Sequence, residues 1–256
     1  MTKLALSDEI LMRIDKPARY IGNELNSIKK DKEKVAIRFA MCFPDVYEIG
    51  MSHLGVQILY DMFNKMEDVW CERVYSPWPD LHKIMKEEHI PLFGLESQEP
   101  IKDLDFIGFT LNYEMCYTNV LQILDLGQIP LLAKERTEDD PLVIGGGCCT
   151  YNPEPMADFF DLFYMGEGEI SFYELFDLYK KMRAEGKTRH KSAEECVCYD
   201  DYDTYDKCDR IVYAEYQIKQ FSTRNKSRRS VNQEENQNKD CRNYSKQARL
   251  VLKSVL

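Results

Sequence analysis

Two apolar patterns alternate along the first 187 residues of the chain. Short continuous apolar runs are typical of buried strands, and apolar residues that recur every three or four positions are typical of amphipathic helices. The predicted strands are residues 35–42, 69–75, 106–111, 141–147 and 162–169 (the last with its turn), with short ones at 91–95 and 129–133. The predicted helices are residues 56–66, 79–89, 118–128 and 170–186.

This alternation predicts an α/β fold: a Rossmann-like, doubly wound, mostly parallel sheet with helices on both faces. Crossovers between parallel strands are right-handed, and ligands of such sheets bind beyond the carboxyl ends of the strands. The loops that follow "MCF", "FTL" and "VIGGG" should therefore share one edge. We expect any ligand to bind at that edge.

The first long helix carries an apolar stripe at helical spacing. Because a helix buries its apolar stripe against the sheet, we expect these side chains to face the core. The stripe consists of Leu54, Ile58, Leu59, Met62, Phe63 and Met66.

The chain divides into three segments by composition. Residues 1–34 are mixed and charged and form a lead-in, and residues 35–187 form the α/β domain. Residues 188–256 lose the alternation and are rich in Asn, Gln, Ser, Lys and Arg, so they are predicted to be irregular or disordered. The abrupt change at residues 188–192 is interpreted as a frameshift or a truncation, which sequencing the gene in its other frames would test.

Charge and cysteine content restrict the possible partners and the compartment. The net charge is −10, and residues 222–256 carry +6 while the remainder carries −16. An acidic body argues against nucleic-acid binding there, although the basic tail could contact RNA. No run reaches the about 18 apolar residues of a membrane span, and no signal peptide is recognised. We therefore predict a cytoplasmic protein with nine reduced cysteines, no membrane contact and no metal site.

The edge loops contain the residues that could bind a ligand or take part in a reaction. Gly145, Gly146 and Gly147 allow either a tight turn or close backbone approach to a ligand, but no dinucleotide or phosphate-loop motif surrounds them. The "MGEGE" turn offers Glu167 and Glu169 for helix capping or for ligand binding. In the opening loop "FPDVYEIGMSHLG", Tyr47 and His53 compete as the important residue, and His53 is predicted to begin the helix.

These loops together resemble a known family. "DVYEIG" is similar to the D-x-H-x-x-G motif of cobalamin-binding domains, with Asp45, Tyr47 and Gly50 in the motif positions. "FTL" is similar to that family's S-x-L segment, and the triple glycine to its glycine pair. The combined pattern over residues 20–186 resembles the cobalamin-binding-like domain that precedes the barrel in many radical S-adenosylmethionine (SAM) proteins. The site residues that this resemblance implies are Asp45, Tyr47, Gly50, Thr110, Leu111, Gly145, Gly146, Gly147, Gly166 and Glu167.

The resemblance implies cobalamin as cofactor, with a corrin held by the edge loops. Tyr47 occupies the position of the family's cobalt-ligating His, and a neutral phenol is a poor ligand, so imidazole ligation is not expected. The chain has no C-x₃-C-x₂-C triad for a 4Fe–4S cluster, so that cluster and SAM are expected only in full-length relatives, or in a separate radical SAM domain as partner. We therefore predict a truncated chain without turnover of its own.

Two other classes of function remain open. The first is a small-molecule enzyme on a doubly wound fold, in which Glu167 or Glu169 is a general base and the glycine loop an oxyanion or phosphate cradle. The second is a protein-interaction module that uses the exposed edge and the basic tail. Retention of hydroxocobalamin by the purified protein would favour cobalamin binding, and a folded protein that retains no corrin would favour one of these two functions.

Overall fold

Five parallel strands form the centre of the fold. The computed structural model describes residues 4–166, 168–186 and 210–213. The strands are β1 (Ile37–Phe43), β2 (Val69–Tyr75), β3 (Phe106–Thr110), β4 (Leu142–Gly146) and β5 (Leu162–Met165), in the spatial order β2-β1-β3-β4-β5. The strand order therefore reverses between β1 and β3: β2 lies on one side of β1, and β3 to β5 lie on the other. This is the switch point at which doubly wound sheets bind ligands.

A sixth strand extends this sheet. β6 (Arg210–Tyr213) pairs antiparallel with β5, so the sheet is mostly parallel, as the sequence predicts. These four residues form a short strand within the segment predicted to be irregular, because the open edge of β5 offers backbone partners. The rest of the predicted tail lies outside the described residues, and there the irregular tail stays a prediction.

Six α-helices connect and cover the strands in the described part of the chain. The four long helices lie within a few residues of their predicted bounds, and two short helices precede them. They are α1 (Asp8–Leu11), α2 (Tyr47–Gly50), α3 (Leu54–Lys65), α4 (Pro79–Glu88), α5 (Tyr117–Leu126) and α6 (Gly168–Ala184). The short strands predicted at residues 91–95 and 129–133 do not form; Phe93 makes only an isolated bridge with Pro100.

Helices cover both faces of the sheet, as predicted. Alternate strand residues point to opposite sides, so Phe39 and Met41 of β1 pack with α3 and α6, and Ala40 and Cys42 pack with α4 and α5. The side under α3 and α6 is an aromatic cluster with ring centroids 4.9–6.1 Å apart. It contains Phe39, Phe63, Phe106, Phe172 and Phe176.

The buried face of α3 differs from the predicted stripe. Val56, Tyr60 and Phe63 are buried, whereas Leu54 is 68% exposed and Ile58 is 41% exposed. Leu59, Met62 and Met66 are partly buried against the same cluster, so the buried face only shifts toward Val56 and Tyr60. The first turn of α3 follows the loop after β1, at the carboxyl ends of the strands. Leu54 therefore lies at the edge where the site is expected.

The lead-in packs on the same core. Leu6, Ile10 and Ile14 are buried with the residues under α4 and α5. The Trp70 indole N–H donates to the Ile28 carbonyl at 3.1 Å, which attaches the end of the lead-in to β2.

Candidate functional site

A cleft of about 220 Å³ opens at the carboxyl ends of the strands, between the first turns of α3 and α6. β1, β3, β4 and β5 all contribute to it, so it spans the switch point at which the topology directs ligands. Its lining consists of Phe39, Met41, His53, Gly55, Leu59, Gly108, Phe109, Thr110, Asn112, Ile144, Gly146, Gly147, Tyr164, Gly166, Gly168, Glu169 and Phe172.

At Gly146 the floor of the cleft is bare backbone. A Cβ placed on Gly146 would have the Phe109 carbonyl oxygen, 3.9 Å away, as its nearest neighbour, so this position faces open space. A Cβ on Gly108 would lie 2.4 Å from the Phe39 ring, so that ring covers Gly108, and the glycine is required for packing of the aromatic cluster. Leu59 and Phe172 add apolar walls. A flat ligand group could lie over Gly146 with no side chain between them.

Two more glycines turn the chain away from the sheet at this edge. Gly147 has φ +100° and Gly166 has φ +113°, a region that residues with a Cβ rarely adopt. A Cβ on Gly147 would also lie 2.8 Å from the Leu111 carbonyl oxygen. These positions need glycine for the backbone path, independently of any ligand.

Hydrogen bonds tie the loops around the cleft to one another. The Asn119 amide donates to the Pro44 carbonyl at 2.9 Å, and the Tyr113 hydroxyl donates to the Asp45 carboxylate. The Cys149 N–H donates to the Leu111 carbonyl at 3.0 Å. The loops after β1, β3 and β4 are therefore fixed before any ligand arrives.

The predicted site residues separate into two groups. Thr110, Gly146, Gly147 and Gly166 line the cleft. Asp45, Tyr47, Gly50, Leu111 and Gly145 do not belong to its lining, and Glu167 lies outside the described residues. The cleft therefore gathers the glycine and threonine positions, whereas the three residues of the D-x-H-x-x-G-like motif lie outside its lining.

Tyr47 is held away from the cleft by a buried ion network. Its hydroxyl donates to Glu24 Oε1 at 2.8 Å, and Glu24 Oε2 lies 2.6 Å from Arg73 Nη1. Its ring meets Tyr75 edge-on at 5.4 Å. Burial, and then the hydrogen bond to Glu24, raise the pKa of Tyr47 to about 12. The phenol is thus neutral at physiological pH and already bonded, which makes it unsuited to hold a metal.

Tight packing explains two of the other positions outside the lining. A Cβ on Gly50 would lie 2.5 Å from the Tyr75 ring. A Cβ on Gly145 would lie 2.9 Å from Phe163, on the opposite face of the sheet from the cleft. Adjacent glycines of β4 thus have different roles: Gly145 makes room for the core, and Gly146 makes room for the cleft.

His53 both begins a helix and lines the cleft. The prediction that it starts the helix is confirmed, because its Nδ1 accepts the Val56 N–H at 3.3 Å as the N-cap of α3. Its Nε2 lies 2.8 Å from the side-chain amide nitrogen of Asn112. The ring also packs against Phe43 with centroids 5.0 Å apart. Sequence reasoning assigned His53 to the helix start alone, since a capping role does not reveal where the other ring nitrogen points.

Sequence reasoning also missed Gly108 and Asn112. Gly108 is an isolated glycine inside a strand, a signal of close backbone approach that the "FIGFTL" pattern did contain. Asn112 follows "FTL" directly and had no distinguishing signal. Glu169, predicted as an alternative acid or base, lies exposed at the cleft in the first turn of α6.

We expect the imidazole of His53 to titrate below its ordinary pKa of about 6.5, because burial disfavours the charged ring and lowers its pKa. Between the two pKa values the unfolded chain binds more protons than the native one, so stability should rise with pH through that window and fall as pH drops below about 6.5. Histidine-ring NMR from pH 4 to 8 checks this, with His53→Asn to assign the signal. A His53 midpoint at or above 6.5 would contradict the expectation.

Exposed apolar side chains occur on elements that border the cleft. They lie on the loops after β1, β3 and β4 and on α3 and α6, and they are 37–86% exposed. We call these residues the apolar rim: Ile49, Met51, Leu54, Tyr113, Met115, Tyr151 and Tyr173. None of them belongs to the lining of the cleft, so they are candidates for contact with a part of a ligand or a partner that stays outside it.

The described residues contain neither a metal-binding cluster nor a membrane-spanning helix. No group of three or more His, Cys, Asp or Glu side chains within residues 4–166 and 168–186 is arranged to hold a metal ion. In the same part of the chain, no helix has the length and apolar character of a membrane span.

Comparison with known proteins identifies a family. Residues 55–201, more than half of the chain, match the family model described as "Radical SAM proteins, N-terminal". The chain belongs to this family. The match includes β3, β4 and β5 and most of the cleft, and it begins after the D-x-H-x-x-G-like loop.

The curated relatives extend the comparison without assigning an activity. An uncharacterized protein of Methanocaldococcus jannaschii is 28% identical over 156 residues, which cover 60% of this chain and 29% of that protein. The chain thus spans less than a third of the length of that relative. No solved structure matches the chain.

Proposed function

We propose that this chain is the cofactor-holding domain of a radical SAM protein and that its cleft binds cobalamin. The observation that carries the proposal is the floor at Gly146, where open backbone faces a cleft at the switch point of the sheet. Cobalamin has a planar benzimidazole on a nucleotide tail, and a flat base is the kind of group that such a floor can accept.

The size of the cleft supports a tail-first arrangement. Its volume of about 220 Å³ lies below the about 300–1,000 Å³ of pockets that enclose a whole ligand. One bicyclic base with its ribose could enter, and the much larger corrin ring would stay outside. The apolar rim around the mouth gives the ring a surface to lie against. Gly55 and Gly168, in the first turns of α3 and α6, border the same cleft, and helix N-termini favour a phosphate.

The residues fit cobalamin without a cobalt ligand from Tyr47. That phenol is neutral, bonded to Glu24 and absent from the cleft lining. When bound, cobalamin would supply methyl transfer or cobalt-centred radical chemistry, while this chain binds and orients it and shields it from water. The iron–sulfur cluster and SAM are suggested by the family for its relatives; we propose that this chain has no turnover alone.

The apolar rim also favours one alternative, a protein-interaction module. Its partner would be a separate radical SAM domain that covers the mouth of the cleft. The small-molecule-enzyme alternative retains Glu169 at the cleft, and a general base there would act without any corrin. Neither alternative requires retention of cobalamin, which makes retention the deciding measurement.

We expect the purified full chain to retain hydroxocobalamin through gel filtration, with a shifted visible spectrum. Cobinamide, which lacks the benzimidazole nucleotide, should be retained more weakly because nothing enters the cleft. Adenosine monophosphate should compete weakly, since it offers a flat base and a phosphate without a corrin. A folded protein that elutes free of corrin would reject the proposal and favour the alternatives.

A further inference from the structure

Two polar side chains follow the end of β3 along one face. Thr110 and Asn112 both line the cleft, whereas Leu111 between them is buried on the opposite side, with the residues under α4 and α5. This is the alternation of an extended chain, so both polar side chains lie on the side of the cleft. We propose that the NH₂ group of Asn112, positioned by His53, donates a hydrogen bond to the nucleoside that enters the cleft. The inference rests on the proposed function and names a side chain that recognises the ligand.

The hydrogen bonds of the His53 ring determine how the Asn112 amide is turned. Nδ1 of the ring accepts the Val56 N–H, so the single proton of the neutral imidazole is on Nε2, and this N–H is used by Asn112. Its partner must be an acceptor, which in an amide is the oxygen. A half-turn of the amide exchanges its nitrogen and its oxygen, and only hydrogen-bond partners distinguish the two positions. With the oxygen 2.8 Å from Nε2, the NH₂ group is at the other end of the amide.

The NH₂ group is available to a ligand. The Asn112 side chain is bonded to His53, and its backbone carbonyl oxygen accepts from Cys148 Sγ at 2.9 Å. No residue in the described part of the chain is hydrogen-bonded to the other end of the amide. A ligand that covers this donor must pair with it, because a buried donor without a partner weakens binding. The amide therefore favours a ligand that has an acceptor at this position over one that has none.

The donor is oriented before the ligand arrives. The His53 ring caps α3 and packs against Phe43 with centroids 5.0 Å apart. It also lies so close to Gly55 that a Cβ there would be 3.1 Å from its Cε1. The ring therefore holds one orientation, and its Nε2–H holds the amide of Asn112. A donor that is already oriented loses little side-chain entropy on binding.

Both members of this pair are uncharged. Burial lowers the pKa of His53, so its ring is neutral at pH 7, and the amide of Asn112 carries no charge. The pair therefore selects a ligand by hydrogen bonding and not by charge. The ligand class is a flat heterocycle or nucleoside that presents an oxygen or an unprotonated ring nitrogen as acceptor. The nucleoside in the tail of cobalamin, α-ribazole, has both kinds of acceptor.

Asn112→Asp separates the donor from the contact with His53. The carboxylate has the shape of the amide and still accepts from Nε2–H, but its second oxygen cannot donate. Because α-ribazole is uncharged, its affinity reports the loss of the donor without charge repulsion. Ser52→Asp adds the same charge to an exposed residue of the same edge, outside the cleft lining, and is the matched control.

We expect Asn112→Asp to bind α-ribazole and hydroxocobalamin about tenfold more weakly than wild type, as the loss of one well-placed hydrogen bond implies. Ser52→Asp should bind both like wild type. Free dimethylbenzimidazole locates the acceptor: an equal loss of its binding in Asn112→Asp assigns the ring nitrogen, and an unchanged affinity assigns a ribose oxygen. Titration followed by visible absorbance gives the affinity for hydroxocobalamin, and competition with it gives the other two.

Two measurements on the wild-type protein do not require a variant that folds. Nitrogen NMR of the His53 ring above pH 7 should show the proton on Nε2, as the orientation of the amide requires. The side-chain NH₂ signals of Asn112 should shift when α-ribazole is added, because a new hydrogen bond changes the shielding of the donated proton.

Several outcomes would overturn the role of Asn112 and leave the proposed function intact. They are an unchanged α-ribazole affinity in folded Asn112→Asp, an equal loss in Ser52→Asp, a His53 proton on Nδ1, and NH₂ signals that do not respond to saturating α-ribazole. A wild-type protein that retains hydroxocobalamin but binds no α-ribazole would overturn it as well. A wild-type protein that retains no corrin rejects the proposed function itself, and the role of Asn112 with it.

Discussion

Gly146→Leu should abolish the retention of hydroxocobalamin while leaving the fold intact. The side chain would project into the cleft, where the nearest atom to a new Cβ is 3.9 Å away, so it meets no core residue. Gly146 does not have a left-handed φ, so leucine adds no backbone strain there. The free energy of unfolding should change by less than about 0.5 kcal/mol, as for a surface substitution.

The neighbouring glycine provides the contrast. At Gly145 the same substitution directs leucine into Phe163, 2.9 Å from the new Cβ, and Phe160, 3.1 Å away. Overpacking of this kind costs about 1–3 kcal/mol, so Gly145→Leu should lower the melting temperature. Ser52→Leu, on an exposed residue of the same edge that is not part of the cleft lining, serves as the matched control and should bind normally.

Three outcomes are informative. Binding that survives in Gly146→Leu, with a normal melting temperature, places the corrin elsewhere on the protein. Loss of binding in Ser52→Leu indicates that an added leucine anywhere on this edge interferes, and the cleft assignment fails. Loss of binding in Gly146→Leu alone supports tail insertion over the open backbone.

The fold was accessible from the sequence because periodicity determines it. Runs such as "VWCERVY" are buried on both faces of a parallel sheet and therefore stand out, and β2 has the predicted bounds. The carboxyl edge then follows from right-handed connections without further information. The short run at residues 91–95 was misread because Leu92 and Phe93 are buried in a loop that packs with α4 and α5, which periodicity does not distinguish from a strand.

The site was only partly accessible. The glycines at residues 146, 147 and 166 were found because their roles need glycine whatever the ligand. Gly147 and Gly166 have a positive φ, and Gly146 leaves the backbone uncovered in the cleft. Tyr47 was singled out by its position in a motif, yet its orientation depends on Glu24 and Arg73, which are distant in the sequence. Leu54 was predicted to be buried because it is apolar, whereas it is the first residue of α3 and remains exposed at this edge.

The ion pair between Arg136 and Asp161 determines the geometry of the strands that carry the glycines. Both side chains are buried, at 1% and 5% exposure, and Arg136 Nη1 lies 2.9 Å from Asp161 Oδ2. The same oxygen accepts the Val143 N–H at 2.7 Å, so Asp161 joins the start of β5 to β4. Arg136 also donates to the Phe159 carbonyl at 2.6 Å.

Asp161→Ala should therefore destabilise the domain by about 3–5 kcal/mol, because it leaves a buried guanidinium without its counter-ion. Burial already lowers the pKa of Arg136, and Asp161 opposes that effect. For a domain of this size the melting temperature should fall by about 10 °C. Asp61→Ala, in an exposed pair with Lys65, is the control and should leave the melting temperature unchanged.

A double-mutant cycle with Arg136→Met distinguishes the ion pair from a simple loss of packing. If the pair acts as a unit, the double variant should be less destabilised than the sum of the single variants, because removing both partners leaves no buried charge. Corrin binding should be weakened in Asp161→Ala only in proportion to the unfolded fraction, and a lower temperature should restore it. Additive losses of stability would mean that Arg136 and Asp161 do not act as a unit. Binding lost while the protein is fully folded would mean that Asp161 acts on the cleft and not through the stability of β4 and β5.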